Sequence, residues 1–287
     1  MNSNLFGNCP ICNESYAGIE PSCRTCNNWR GYPNVILASR PDELAALDER
    51  YRQSALNAAT RSVTGLFQDF QAEAKLSKAV LNCSVEFAVW FFSNEDVLHA
   101  SYYEQLIGGA RQPAKIEYDR HRAAVDAILF GTYAREVNFA ALSLDGKGLT
   151  SYGPISIQLK DVAIASRATL LEENSYAFIA RHGLVPGKPP PTGYITTWDR
   201  RDILASVKVE PRLDAHTTVD AFPALLLTST SNRRDDCYVE VHICGPFNFR
   251  AVERVLVPKF GRRPQDRALL GAAKELASAK GVIWEEL

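Results

Sequence analysis

Three side chains capable of chemistry alternate along the stretch CYVEVHICGP, residues 237–246: Tyr238, Glu240 and His242. Alternate residues of an extended strand share a face, so a phenol, a carboxylate and an imidazole would project together at ~7 Å intervals. Val239, Val241 and Ile243 would project the other way. Gly245-Pro246 then stops the strand and aims the polar face toward a rim. Such a face either meets water or holds a substrate, and taken alone an edge strand turned to solvent satisfies the pattern.

A second constellation lies near the N-terminus. Residues 9–26, CPICNESYAGIEPSCRTC, hold four of the seven cysteines as two Cys-x-x-Cys pairs, Cys9/Cys12 and Cys23/Cys26. Each pair can set two thiolates on one side of a tight turn, and two such turns complete a tetrahedron around Zn²⁺. With all four ligands supplied by protein no position stays open, so the zinc would be structural and not catalytic. The short loop between the pairs predicts a compact zinc ribbon over residues 1–38. Arg24, Trp29, Arg30 and Tyr32 follow closely and are of types that stack on or neutralise a nucleic acid, although aromatics packed on a small metal core would look the same. Cys83, Cys237 and Cys244 neighbour apolar residues and read as small buried hydrophobes rather than nucleophiles.

Elements must position these groups. A chain of 287 residues with 46% hydrophobic and 23% charged residues is of ordinary globular composition. A net charge of −1 excludes a protein that holds nucleic acid by bulk electrostatics and leaves room only for a local basic patch. No apolar run approaches the ~20 residues of a membrane span, and the N-terminus lacks a secretory pattern. The expectation is therefore a cytoplasmic protein with reduced cysteines and no membrane partner. Ser39-Arg40-Pro41-Asp42 reads as a helix start with Ser39 as cap. A stripe of Leu44, Leu47, Tyr51, Ala55, Ala58, Val63, Phe67 and Phe70 continues as an amphipathic helix broken near Gly65. This helical spacer, 39–82, would pack on the main domain or on a second chain.

The main domain, 83–287, reads as α+β with mostly antiparallel strands. Strands are expected in SVEFAVWFF (84–92), VNFAALSL, PISIQLK, SYAFIA, ALLLTST, CYVEVHI, ERVLVP and the last VIWEEL. Helices are expected in NEDVLHASYYEQLIGG, EYDRHRAAVDAILFGTYARE, TWDRRDILASVKV and QDRALLGAAKELASAKG, with a Pro/Gly loop at 182–193 and a hairpin turn at Asp145-Gly146. Phosphate-loop, dinucleotide, HExxH and GxSxG signatures are absent.

Three stretches, YVEVHICGPFNFRAVERVLVP, FAALSLDGKGLTSYGPISIQLK and RATLLEENSYAF, are similar to segments of a known family. Over roughly residues 84–260 the chain resembles the ADP-ribosyltransferase superfamily, especially its bacterial toxin-type members. The resemblance implies a split-sheet domain, NAD as substrate and Glu240 as catalytic glutamate. It further implies Ser143, Ser151 or Tyr152 beside the nicotinamide, and a role for Arg167 with Glu172 and Glu173. That family's first strand normally ends in a histidine or arginine that grips the ribose. WFFSNED offers neither, and His99, Arg120 or His121 from a neighbouring element would have to substitute.

The chemistry so implied suits these residue types. Breaking the nicotinamide–ribose bond makes an oxocarbenium-like sugar, which a fixed carboxylate stabilises, as carboxylates do at glycosidic centres. Tyr152 and Tyr238 offer π-faces to a flat cationic ring, and His242 shares the Glu240 face. Arg167 could fork onto the diphosphate or simply pair with Glu172 or Glu173. The function expected is an NAD-dependent ADP-ribosyltransferase acting as a toxin or phage-defence effector on RNA or DNA, with an antitoxin or chaperone as a further partner. A non-catalytic zinc-ribbon adaptor for nucleic acid or protein is the competing reading. A zinc-ribbon nuclease lacks a carboxylate cluster of suitable spacing.

Overall fold

The computed structural model describes residues 8–9, 11–15, 22–108, 117–230, 232–233, 235–259 and 264–287, with the side chains of residues 117–121 outside the description. Helices α1 (Pro33–Ala38), α2 (Pro41–Thr60) and α3 (Thr64–Ala74) lead into strand β1 (Lys78–Cys83) and helices α4 (Val85–Ser93), α5 (Tyr102–Ile107) and α6 (Glu117–Phe130). Next come β2 (Val137–Ser143), β3 (Ile155–Leu159), α7 (Asp161–Ile164), β4 (Ala168–Leu171), α8 (Ser175–His182) and β5 (Ile195–Thr197). The order closes with α9 (Arg201–Val209), α10 (Phe222–Leu226), β6 (Glu240–Cys244), β7 (Val252–Val257), α11 (Pro264–Ala279) and β8 (Ile283–Glu286).

The class is α+β. Among the described residues eight strands form one mixed sheet in the order β5-β4-β6-β2-β1-β3-β7-β8, antiparallel except where β8 runs beside β7. The sheet is continuous, but its halves meet only through β1. Lys78–Val80 pair with β2, and Val80–Cys83 pair with β3.

The main core lies on one face of this sheet. Val239, Val241, Ile243, Ala140, Leu142, Ile155, Ile157 and Leu159 project into it from the strands. Leu47 and Ala58 of α2, Phe67 and Phe70 of α3, Phe91 and Phe92 of α4, Leu204 of α9 and Ala277 of α11 cover them. Each fully buried Leu or Phe contributes about 1.5–3 kcal/mol. The amphipathic stripe of 39–82 is thus spent on the core, and β1, from the same segment, is an inner strand of the sheet. The break between α2 and α3 falls at residues 61–63, where Ser62 takes a left-handed φ of 59°. Ser39 does not cap α2: its hydroxyl donates to the Val35 carbonyl at the end of α1 (2.7 Å), and Arg40 holds the cap position before Pro41.

Several expected elements change type. SVEFAVWFF is helix α4, because Ser84 caps it by accepting from the Phe87 amide and Ala88, Phe91 and Phe92 bury one side. Its other side is apolar enough to hide the helical period. SYAFIA is helix α8, capped by Asn174 and ended by Gly183 at a left-handed φ of 56°. ALLLTST begins in α10, which starts at Phe222-Pro223, and only Thr228 bridges to Cys237. Helix α5 covers only the second half of the stretch expected to be helical. Asp145-Gly146 does turn the chain, with Ser143 and the Lys147 amide bonded to Asp145, yet it joins no hairpin, since β1 lies between β2 and β3.

Candidate active site

Glu240 opens strand β6, with Ala141 of β2 opposite on one side and Leu171 of β4 on the other. Ala141 in turn faces Val80 of β1. This row lies on the face away from the main core. A small side chain beside the acid leaves a hollow, which α5 and α6 roof and Leu149, Tyr152 and Arg233 wall. Glu240 is 3% exposed and lines this cleft together with Tyr238, Asn174 and Ser175. The polar face of the strand therefore does not meet bulk water.

The carboxylate is held by donors on both oxygens. Ser175 gives its amide to Oε2 (3.0 Å) and its hydroxyl to Oε1 (2.5 Å). The Tyr238 hydroxyl reaches Oε2 (3.3 Å) and His242 Nε2 reaches Oε1 (2.9 Å). An ionised carboxylate only accepts, so Nε2 of His242 carries the proton. Asn174 Nδ2 donates to the Tyr238 hydroxyl (2.7 Å), and its Oδ1 caps α8 by accepting from the Tyr176 and Ala177 amides. The Ser175 amide is one of the otherwise unpaired donors of the α8 N-terminus, whose dipole favours a negative charge. Burial pushes the Glu240 carboxyl up, but the His242 and Ser175 contacts outweigh it and hold the group below the usual carboxylate range.

A second buried acid faces the cleft. Asp126, 2% exposed on α6, accepts at Oδ2 from the Tyr103 hydroxyl (2.9 Å) and from Arg122 Nε (3.3 Å). The Arg122 guanidinium lies 4.2 Å from the centre of the Phe139 ring. Burial opposes its charge, but Asp126 and Glu240 more than restore it. Burial raises the Asp126 carboxyl above its ordinary value, against the pull of Arg122 and Tyr103. On the other wall Arg233 sits 4.0 Å over the Tyr152 ring and donates to the Ser151 carbonyl (3.2 Å).

The expected site residues separate into three groups. Glu240, Tyr238 and Tyr152 line the cleft. His242 lies directly behind it, boxed edge-on by Phe130 and Phe139, with its contact to Glu240 as its link to the site. Ser143, Ser151 and Arg167 serve local structure: Ser143 bonds Asp145 and the Lys147 carbonyl, and Ser151 bonds Asp236. Arg167 gathers the carbonyls of Ala163, Cys244, Gly245 and Pro246 where β6 ends. Glu172 pairs with Arg50 (2.5 Å) and Glu173 with Arg181 (2.7 Å), so neither pairs with Arg167. His99 lines the cleft, whereas the side chains of Arg120 and His121 lie outside the described residues. The strand that comes first is Lys78–Cys83, and it presents Asn82 to the cleft, with Nδ2 bonded to Ser156 Oγ (3.0 Å).

Reading the sequence missed Asn82, Arg122, Asp126, Asn174, Ser175 and Arg233. Only Asn174-Ser175 carried a local signal, a capping residue before a helix. The others reach the cleft through tertiary packing that no spacing announces.

The four N-terminal cysteines meet in space. Their Sγ atoms all lie within 4.8 Å of one another, with Cys9–Cys26 and Cys12–Cys23 each at 3.5 Å. Thiolates ~2.3 Å from a tetrahedral ion stand ~3.8 Å apart, so the set fits a metal ion such as Zn²⁺. The two halves repeat one design. Asn13 and Asn27, each just after the second cysteine of its pair, take a left-handed φ of 57°. Their amides donate to the carbonyls of Cys9 and Cys23, while the Cys9 and Cys23 amides donate to the carbonyls of Glu14 and Asn28. Trp29, 56% exposed, rests edge-on against Tyr32 at 5.3 Å.

Among the described residues no helix is long and apolar enough to cross a membrane. No protein-family model matches the chain, and no curated protein matches it.

Proposed function

We propose that the chain is an NAD-dependent ADP-ribosyltransferase, a toxin or phage-defence effector whose four-cysteine module holds a structural zinc and helps to select a nucleic-acid target. One observation carries the reading: a buried carboxylate, held by four donors, that lines a cleft together with Tyr152 and Tyr238. When the bond between nicotinamide and ribose breaks, positive charge grows on the sugar. A preorganised anion in a water-poor site stabilises that charge without reorganising at the moment of reaction. Four donors fix Glu240, and the aromatic walls suit a cationic heteroaromatic ring. A sheet joined through β1 alone also accords with the split sheet that the sequence resemblance implies. The exposed Trp29 ring supports a stacking contact beside the metal module.

The test is a transfer assay with NAD labelled in its adenylate, offered total RNA, DNA and protein, beside Glu240→Gln. Label appearing in one class with wild type and falling by about 10²-fold or more with the variant supports the reading by the size of such electrostatic effects. Equal labelling, or none together with no nicotinamide release, sinks it and leaves the adaptor reading.

A further inference from the structure

Asp126 of α6 lines the same cleft as Glu240 of β6, and the two carboxylates are close enough for their charges to interact. Their surroundings differ. Glu240 accepts four hydrogen bonds, spread over both oxygens. Among the described residues Asp126 accepts two, from Tyr103 and Arg122, and both fall on Oδ2. The remaining oxygen, Oδ1, is left to take a proton from whatever enters the cleft.

We infer that Asp126 is the general base that takes the proton from the incoming nucleophile, leaving Glu240 to steady the sugar cation; this rests on the transferase reading above. The step balances. The bond from the ribose carbon to the nicotinamide nitrogen breaks, and its electron pair neutralises the pyridinium. A lone pair on the acceptor N–H or O–H forms the new bond to that carbon, and the acceptor proton passes to Asp126 as a carboxylic acid. Without a base the product would carry that proton as a positive charge beside Arg122. Glu240 is unsuited to the task, since its donors make it a weak base, whereas burial makes Asp126 a stronger one. Tyr103 and Arg122 fix its orientation.

Hydrolysis of NAD by the full metal-loaded chain, read as nicotinamide release with water as the acceptor, tests this without a known target. The groups facing Asp126 are Arg122 on its own helix, Tyr103 on α5, and Glu240 and His242 on β6. A base works in its ionised form, so the wild-type rate should climb as pH rises through an Asp126 value above the ordinary carboxylate range. Asp126→Asn should lower kcat by about 10²-fold or more, hold KM for NAD within about twofold, and lose that climb. Tyr103→Phe, which removes one donor to the charged form, should keep most activity and move the climb to higher pH. The NAD KM of each variant reports that its cleft is formed, and the tyrosine variant decides if the asparagine variant does not fold. Wild-type kcat with an unchanged pH profile in Asp126→Asn, or an unmoved climb in Tyr103→Phe, overturns the assignment while the transferase reading stands. Should wild type release nicotinamide only when total RNA, DNA or protein is added, the same rates are read with that acceptor present; no release and no transfer to any of them overturns both.

Discussion

Glu240→Gln separates what the buried acid does for folding from what it does for reaction. The side chain keeps its shape but loses its charge and gains two donors. At the Oε2 position the Ser175 amide can only donate, so the new carbonyl must sit there. The new NH₂ then meets Ser175 Oγ and His242 Nε2. The hydroxyl can rotate to accept, and the imidazole can move its proton to Nδ1. Among the described residues no acceptor faces Nδ1, so that one proton goes unpaired while the other groups stay matched, and the variant should fold at reduced stability. What it gives up is the charge assistance on two or three short bonds, about 1 kcal/mol each, offset in part by no longer burying a charge. The net cost should be about 2 kcal/mol at pH 7. Glu240 is held below the usual carboxylate range in the folded chain. Its contribution is therefore complete above the unfolded value of ~4.3 and fades as pH falls through the folded one. Urea unfolding of both proteins at pH 7.5, 5 and 3.5 should show a gap that is full at the first two and shrinks at the third. Nicotinamide release at pH 7.5 should fall by about 10²-fold or more, far beyond what a modest loss of stability explains. A variant as stable as wild type at pH 7.5, or a gap unchanged at pH 3.5, would refute the argument for an ionised buried acid.

Three further outcomes follow from the packing. Asn34→Ala removes a buried amide whose Nδ2 donates to the Arg167 and His242 carbonyls and to Thr169 Oγ1, and should cost about 1–3 kcal/mol in denaturant titrations. Cys23→Ser should take bound zinc from about one per chain to near none by elemental analysis, since a four-thiolate site needs every ligand. The main unfolding transition should move little, because Cys9 and Cys23 cluster apart from the large core. Gly153→Ala should cost about 3 kcal/mol or more and yield little soluble protein. A Cβ there would stand 2.2 Å from the Cys83 carbonyl carbon and oxygen, at a φ of +146° that disfavours any side chain.

Features governed by neighbours in sequence could be read from the sequence. The alternation along residues 238–243 sorted polar from apolar sides correctly, because a strand has only two faces. The paired cysteines announced their meeting point, and the 44–70 stripe its buried side. Where local apolarity saturates, the reading failed. In residues 84–92 nearly every side chain is apolar, so strand and helix periods could not be told apart, and the Ser84 cap was the decisive overlooked mark. By type Arg167 suits a diphosphate or an ion pair with Glu172 or Glu173, yet its guanidinium is occupied by four carbonyls that only the folded chain assembles. The pairing of Asp126 with Tyr103 and Arg122, and its place in one cleft with Glu240, likewise depend on α5 and α6 coming together over that cleft.

The shortness of the link between the cysteine module and the sheet sets a spatial limit. Asn34 is pinned by the backbone of His242, next-but-one to Glu240 along β6. Between Cys26 and Asn34 run eight residue steps, which span at most ~28 Å even when fully stretched. Any molecule bound beside the four cysteines would thus lie within a few nanometres of the acid, and a large partner would be reached only at the stretch that borders the binding point.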